Sequence, residues 1–136
     1  MSDHGLALQE AVHARLISDP GIQSILGSTP RIYDIPPRKP VYPFVSYGEW
    51  RVGRVQGIPD HFEHNIRLRI FSRYEGRSET RAVMAALHDA LQDAPLTMSN
   101  RTLVSIRFVF SDVFLRADGR VWNGVMRFRA VDTMAN

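Results

Sequence analysis

Residues 61–91, HFEHNIRLRIFSRYEGRSETRAVMAALHDAL, combine a strand pattern and a helix pattern on either side of a polar turn. In the first half, apolar residues alternate with arginines, as in a strand that buries one face: Ile66, Leu68 and Ile70 against Arg67 and Arg69. In the second half, apolar residues recur at helical spacing: Val83, Ala86, Leu87, Ala90 and Leu91. We expect this strand and helix to form the centre of the fold, with Ser78 as the N-cap of the helix.

The composition is that of a globular protein. At 136 residues the chain is long enough to bury its own core, and we assign residues 1–136 to a single domain. The absence of cysteine excludes disulfides and thiolate metal sites. We find no secretory signal and no stretch apolar enough to span a membrane, so we expect a protein assembled in the cytoplasm without membrane contact.

On the N-terminal side of this centre, the sequence predicts two helical segments. The first spans Asp3–Ser18, with Asp3 as its cap, and is ended by the sequence Asp-Pro-Gly at 19–21. A short helical turn follows at 22–26, and Gly27 suits the left-handed conformation after a helix.

A proline-rich arm connects these helices to the centre. Five prolines between residues 30 and 43 exclude a helix or an interior strand, so we expect an extended arm with an edge strand at Arg31–Tyr33. Aromatic and β-branched residues then favour a strand over Phe44–Arg51. We predict that Gly53–Asp60 forms a projecting hairpin tip and a candidate contact loop. The candidate contact residues in this loop and just before it are Trp50, Arg51, Arg54 and Ile58.

On the C-terminal side, the sequence predicts a second hairpin that turns at Asp118-Gly119. Its first strand, Leu103–Leu115, has apolar residues at even positions: Val104, Ile106, Phe108 and Phe110. Asp112 interrupts that face, as a bulge or the end of the buried part of the strand would. The return strand, Arg120–Val131, directs two sets of residues to opposite sides: Trp122, Met126, Phe128 and Ala130 on one, Arg127 and Arg129 on the other.

These elements predict an α+β domain: a mainly antiparallel sheet of about four strands with two helices packed on one face. The other face of the sheet would then carry five arginines: Arg67, Arg69, Arg107, Arg127 and Arg129. Three interpretations are open for this arginine face. It is a solvated surface, an interface between subunits, or a nucleic-acid contact, although it lacks the interleaved aromatic residues typical of RNA-binding sheets.

The cluster Asp60-His61-Phe62-Glu63-His64 is the strongest candidate for chemistry. Two histidines and two carboxylates within five residues suggest a metal site, but in a strand His61 and His64 point to opposite faces. The glycine-containing sequence GRVQG lacks the spacing of a phosphate-binding loop. We therefore expect no enzyme, no cofactor and no metal, and interpret the cluster as polar residues at the start of a strand.

Taken together, several segments resemble the tail terminator, or tail-completion, proteins of long-tailed bacteriophages and related gene transfer agents. They are LALQEAVHARL with DPGIQSILG, RIYDIPP ending in YPFVSYGE, HFEHNIRLRIFSRYEGRSE followed by AVMAALHDAL, and LRADGRVWNGVMRFRAV. The resemblance covers nearly the whole chain in order. No single motif is diagnostic of the family.

The resemblance implies a structural protein of the tail-neck junction of a virion or phage-like particle. Such proteins form a ring, typically a hexamer, that caps the tail tube and joins it to the neck of the head, with DNA passing through an axial hole. The implied partners are other copies of the chain, the tail tube protein and the head-tail connector or stopper protein. No catalytic residues are carried over by the resemblance.

Overall fold

The computed structural model describes residues 4–134 and contains, within them, three helices and six strands. The helices are α1 His4–Ser18, α2 Pro20–Leu26 and α3 Ser78–Leu91. The strands are β1 Ile32–Tyr33, β2 Phe44–Arg54, β3 His61–Ser72, β4 Thr97–Met98, β5 Arg101–Leu115 and β6 Trp122–Met134.

All six strands form one sheet in the order β1-β2-β3-β6-β5-β4. Every neighbouring pair is antiparallel except β1 and β2, which are parallel. The predicted α+β class and the four long antiparallel strands are confirmed. The expected totals were too low, because α2 is a full helix and β4 is a sixth, two-residue strand, too short to produce an apolar pattern.

The three helices pack on one face of the sheet, which we call the helix face. Their buried side chains belong to one core cluster with the inward residues of the sheet: Leu8, Val12, Leu16, Ile22, Leu26, Val83, Leu87 and Leu91 from the helices, and Ile66, Leu68, Ile70, Ile106, Met126 and Phe128 from the strands. The four-residue spacing of the buried α1 positions explains why this segment is a helix. None of the helices among residues 4–134 has the length and apolarity needed to cross a membrane.

Two predicted helix caps have different outcomes. The expected cap Asp3 lies outside the described residues. Ser78 does not cap α3: it is the first helical residue, Arg77 occupies the N-cap position, and no side chain there bonds the helix. The cap that the structure does contain is Asp19, whose Oδ2 accepts from the amide of Ile22 at 3.0 Å. The sequence Asp-Pro-Gly thus begins α2, because proline suits the first turn of a helix.

Close packing of α3 on the sheet depends on a glycine in β6. A Cβ atom at Gly124 would lie 2.8 Å from Cγ2 of Thr80 and 3.2 Å from Sδ of Met84, both on α3. Because real Cβ contacts are not that short, only glycine allows the helix to approach β6 this closely.

Two bulges in β5 change which of its residues face the core. The register with β6 shifts between Leu103 and Ser105 and again between Phe108 and Phe110. Val104 and Phe110, predicted on the buried face, are 55% and 38% exposed. The prediction was wrong because each extra residue reverses the alternation of the strand. The interruption predicted at Asp112 lies instead between Phe108 and Phe110, and the register with β6 is regular at Asp112.

Candidate assembly surfaces

The five residues of the predicted arginine face lie on the face of the sheet opposite to the helix face. Arg67 of β3 is directly opposite Arg127 of β6, and Arg107 of β5 is directly opposite Arg129 of β6. Their neighbours in sequence, such as Ile66 and Phe128, are fully buried against the helices. The period-two pattern of the sequence therefore places these arginines correctly, and like charges are brought side by side.

Carboxylates on the same surface offset part of this positive charge, and an amide oxygen accepts a hydrogen bond from one of the arginines. Oε1 of Glu49 lies 3.9 Å from Arg67 and 3.8 Å from Arg69. Glu63 pairs with Arg129 at 3.1 Å. The Nη2 of Arg127 donates to the amide oxygen of Asn65.

Arg107, the fifth member, pairs with Asp93 at 3.5 Å. The arginine face is therefore a surface of mixed charge. The hydrogen bond from Arg129 lowers the pKa of Glu63 below its ordinary value of 4.5, so this carboxylate is ionised at neutral pH.

The predicted contact loop divides between the two faces of the sheet. Arg51 lines a shallow cavity of about 180 Å³ with Arg67 and Arg127, so it joins the arginine face. Trp50 instead is in register with buried Ile66 and packs against the core on the helix face. A bulge between Tyr47 and Trp50 sets this orientation.

Arg54 and Ile58, the remaining predicted contact residues, lie at the end of the sheet that carries residues 55–60, which we call the loop end. Both are exposed, Ile58 by 49%. β2 continues to Arg54, and the backbone amide of Val55 bonds to the carbonyl of His61 at 2.9 Å. The projecting tip is thus shorter than the predicted Gly53–Asp60 and consists of residues 55–60.

A buried polar network lies beneath the loop end. Asp132 of β6 is fully buried and bonds both Arg101 of β5 and His64 of β3. The Nε1 of Trp50 lies 3.4 Å from Nδ1 of His64. Because an indole nitrogen only donates, Nδ1 accepts and the proton of neutral His64 is on Nε2, facing Asp132.

The same network holds the loop in place. The Nε of Arg101 donates to Oδ1 of Asp132 at 2.8 Å, and its Nη2 donates to the carbonyl of Asp60 at 3.2 Å. Its guanidinium also lies over the ring of Phe62, 5.1 Å from the centroid. Arg101 therefore ties the loop to β6 through a desolvated ion pair.

Sequence reasoning missed the roles of Arg101 and Asp132, although one signal was available. His64 shares the even register of the buried residues Ile66 and Leu68, and a polar side chain at such a position requires a buried partner. His61 lies outside this network and contacts the carbonyl of Pro59 at 2.9 Å. Among residues 4–134, no three His, Asp or Glu side chains come together as metal ligands would.

The opposite end of the sheet, which carries the turn at 116–121 and which we call the turn end, exposes apolar side chains. They belong to β5: Val109, Phe110, Phe114 and Leu115 are 46%, 38%, 43% and 44% exposed. We call these four residues the apolar hairpin. Phe110 and Phe114 pair with Arg127 and Asn123 of β6 and so lie on the outward face of the sheet. Sequence reasoning did not identify them as a surface, because the second bulge reverses their orientation.

A concave apolar surface lies at the far edge of the sheet, between α1 and β1. This groove has a volume of about 560 Å³. Its apolar lining includes Leu6, Ile17, Ile32 and Ile35, and its charged residues are Glu10 and Asp34. At its floor the hydroxyl of Tyr47 lies 2.8 Å from Nδ1 of His13. Burial, and secondarily the charge of Asp34, raises the pKa of Tyr47 well above 10.0.

A comparison with protein families gives a match to tail completion protein gp17 over residues 10–132. The chain belongs to this family. The family is one of structural virion proteins. Comparison with curated proteins gives no match.

A solved structure agrees with the family assignment of this tail completion protein. The chain is similar to a chain in the virion of a native gene transfer agent particle, with 25% sequence identity and a TM-score of 0.86. The alignment covers 97% of this chain and 99% of the other. The resemblance noted in the sequence is thus confirmed, and the chain is a structural component of a virion or phage-like particle.

Proposed function

We propose that this tail completion protein forms a closed ring of six subunits that caps the tail tube. The ring joins the tube to the neck of the head through a connector or stopper protein, and its axial hole admits DNA. The observation that carries the proposal is the likeness, over 97% of this chain, to a chain of an assembled gene transfer agent virion.

The surface of the domain supports association with neighbours. Ile35 in the arm is 86% exposed, and four more apolar residues are exposed in the apolar hairpin. Exposed large apolar side chains are typical of protein interfaces, where aromatic residues and arginine are enriched. The predicted contact residues on the arginine face and around the loop end remain candidates for contact with the tube or the connector.

The alternative, a nucleic-acid-binding module, finds less support in the geometry. Four of the five residues of the arginine face have a carboxylate within 4 Å, and the fifth contacts an amide. Those four arginines share three carboxylates, Glu49, Glu63 and Asp93, so five positive charges face three negative ones. A face that already pairs most of its cations releases fewer counterions from DNA and so gains less binding free energy. We therefore favour passage of DNA through the ring over specific binding.

Electron microscopy of the purified protein, alone and mixed with its tail tube protein, tests the proposal. We expect rings of six subunits seated on one end of each tube. A protein that stays monomeric in the presence of tubes and leaves both tube ends open overturns it. Tight DNA binding that weakens steeply with salt and is lost in Arg127→Glu/Arg129→Glu would instead favour the alternative.

A further inference from the structure

We propose that the apolar hairpin of one subunit docks against β1 and the apolar groove of the next subunit. The inference rests on the proposed ring and names the surfaces that join its subunits. The occupant of the groove is therefore a second copy of this chain, presented through residues 109–115.

Both surfaces lie at open edges of the same sheet. β4 pairs with β5 only at Arg101 and Thr102, so among residues 4–134 no strand pairs with β5 at 109–115 on the side away from β6. β1 is the other edge strand, and it too has a strand on one side only. Exposed edges present backbone donors and acceptors that another chain can pair with.

The register shows that the two edges lie at the same height in the sheet. One cross-strand row runs from Asp112 of β5 through β6, β3 and β2 to Tyr33 of β1. The adjacent row runs from Val113 to Ile32. A rotation about an axis along the strands therefore brings residues 109–115 beside β1 of the next copy without displacement along the axis.

Strand direction favours the same pairing. β5 runs opposite to β6, β6 opposite to β3 and β3 opposite to β2, while β1 is parallel to β2. β5 and β1 of one subunit therefore run in opposite directions, and rotation about an axis along the strands preserves direction. The contact between subunits would be antiparallel, which is the commoner pairing.

The two surfaces are both apolar. The groove is concave and lined by aliphatic residues: Leu6, Ile17, Ile32 and Ile35. It lies on the helix face, and so does Leu115 of the hairpin, because Leu115 pairs with Trp122, two residues before Gly124, which faces α3. In the joined sheet Leu115 would lie on the side of the groove, whereas Phe110 and Phe114 would lie on the outward face, beside the next subunit. Contact would remove exposed apolar surface from water on both faces of the sheet, which is favourable.

The groove is acidic, whereas the hairpin carries balanced charge. The groove is lined by Glu10 and Asp34, both exposed, and by no lysine or arginine of the described chain. On the hairpin and its turn, the exposed Arg116 and Arg120 are balanced by the exposed Asp112 and Asp118, and the carboxylate of Asp118 accepts from the backbone amide of Arg120. Two acidic grooves repel each other, whereas a hairpin offers the groove two guanidinium groups, so contact between two grooves is disfavoured.

Contact between two different surfaces has a consequence for the assembly. Each subunit offers one hairpin and one groove, so each contact leaves one of each surface available. Such head-to-tail contacts close into a ring when the rotation between subunits divides a full turn. Two different surfaces on one sheet are thus compatible with the ring that we propose for this tail completion protein.

Cross-linking between introduced cysteines tests this interface, because the chain contains no native cysteine. Ser111 and Asp34 are exposed, and each is the sequence neighbour of a residue at one end of the Asp112–Tyr33 row. We would treat the variant Ser111→Cys/Asp34→Cys with a short bismaleimide, alone and on tail tubes. Within one subunit the two positions are separated by four strand spacings, about 19 Å, which exceeds the length of the linker.

The matched control is Val104→Cys/Asp34→Cys, in which one cysteine is moved along β5. Val104 is 55% exposed and lies roughly 25 Å from Ser111 along the strand. We expect a ladder of covalent oligomers that ends at the ring size for Ser111→Cys/Asp34→Cys and at least a tenfold lower yield for the control. Each single-cysteine variant should give monomer.

The outcomes separate this interface from the proposed function. Rings on tubes without the ladder, or with equal ladders from both double variants, overturn the interface and leave the ring. Covalent oligomers from the free protein, without rings on tubes, would support the interface and overturn the proposal that the protein caps the tail tube. If the protein stays monomeric both in the cross-linking assay and in the presence of tubes, the interface and the ring are both overturned.

Discussion

The two long hairpins of the sheet differ in how their ends are held. The β2–β3 hairpin ends in a loop that Arg101 ties to Asp132 through buried polar contacts within the chain. The β5–β6 hairpin ends in a turn beside exposed phenylalanines, for which the chain supplies little cover. One end of the sheet is therefore completed by contacts within the chain, whereas the other leaves apolar side chains exposed, which we propose take part in assembly.

Removing the charge of Asp132 should produce the largest effect on the anchored end. In Asp132→Asn the guanidinium of Arg101, only 7% exposed, keeps a neutral partner, so a buried charge is left uncompensated. We expect a loss of about 3–5 kcal/mol in the free energy of unfolding, measured by urea denaturation. The matched change Asp112→Asn, on the exposed hairpin, should alter it by less than about 0.5 kcal/mol. Equal effects of the two changes would contradict the contrast between the hairpins.

A methyl group at Gly124 should have the next largest effect. Gly124→Ala places Cβ 2.8 Å from Thr80, so α3 must move away from β6 near the turn of the β5–β6 hairpin. We expect a loss of about 1–3 kcal/mol, measured by thermal or urea unfolding. Gly53→Ala is the control, because nothing lies within 4 Å of its added Cβ and it belongs to the other hairpin. A stable Gly124→Ala variant would mean that α3 does not need this close approach.

The pH dependence of the Glu63–Arg129 pair should have the smallest effect. Arg129 lowers the pKa of Glu63 in the folded state, so the pair stabilises the fold above the ordinary pKa of 4.5 and is lost as pH falls through the lowered value. Because both side chains are partly exposed, we expect Glu63→Gln to cost at most about 1 kcal/mol at pH 7.

Denaturation of this variant and of the native chain at pH 7 and at pH 3 measures the difference. The two stabilities should converge at the lower pH. Glu49→Gln is the comparison, since Glu49 lies at longer distances from its arginines and should matter less. If the difference in the free energy of unfolding between Glu63→Gln and the native chain were larger at pH 3 than at pH 7, the ionised pair would not be what stabilises the fold.

Much of the fold could be predicted because it depends on local periodicity. The alternation in residues 66–70 and the helical spacing in residues 83–91 each reflect burial of one face, and both elements are present. The same alternation placed the arginine face correctly. The acidic partner of Arg129 could not be predicted, because Glu63 lies 66 residues away and only strand order brings it near.

The remaining features depend on single residues or on distant pairs. Asp132 and His64 are 68 residues apart, and no pattern along the chain links them. Each bulge in β5 adds one residue, and the periodicity of the sequence predicts the wrong face from that point onward. The apolar hairpin was not predicted for this reason, since Phe110 was interpreted as core. The groove was not predicted because it forms only where α1 packs beside β1 and β2, which are distant in sequence.

Because of its second bulge, the number of residues in β5 determines which side chains beyond Val109 face outward. Removal of one residue at Val109 would leave the composition of the segment almost unchanged, yet every side chain from Phe110 onward would exchange sides. Insertion or deletion of a single residue can therefore move exposed apolar side chains to the buried face of the sheet, or the reverse, without any substitution. We therefore expect related chains to differ in the number of residues in β5 as well as in their identity.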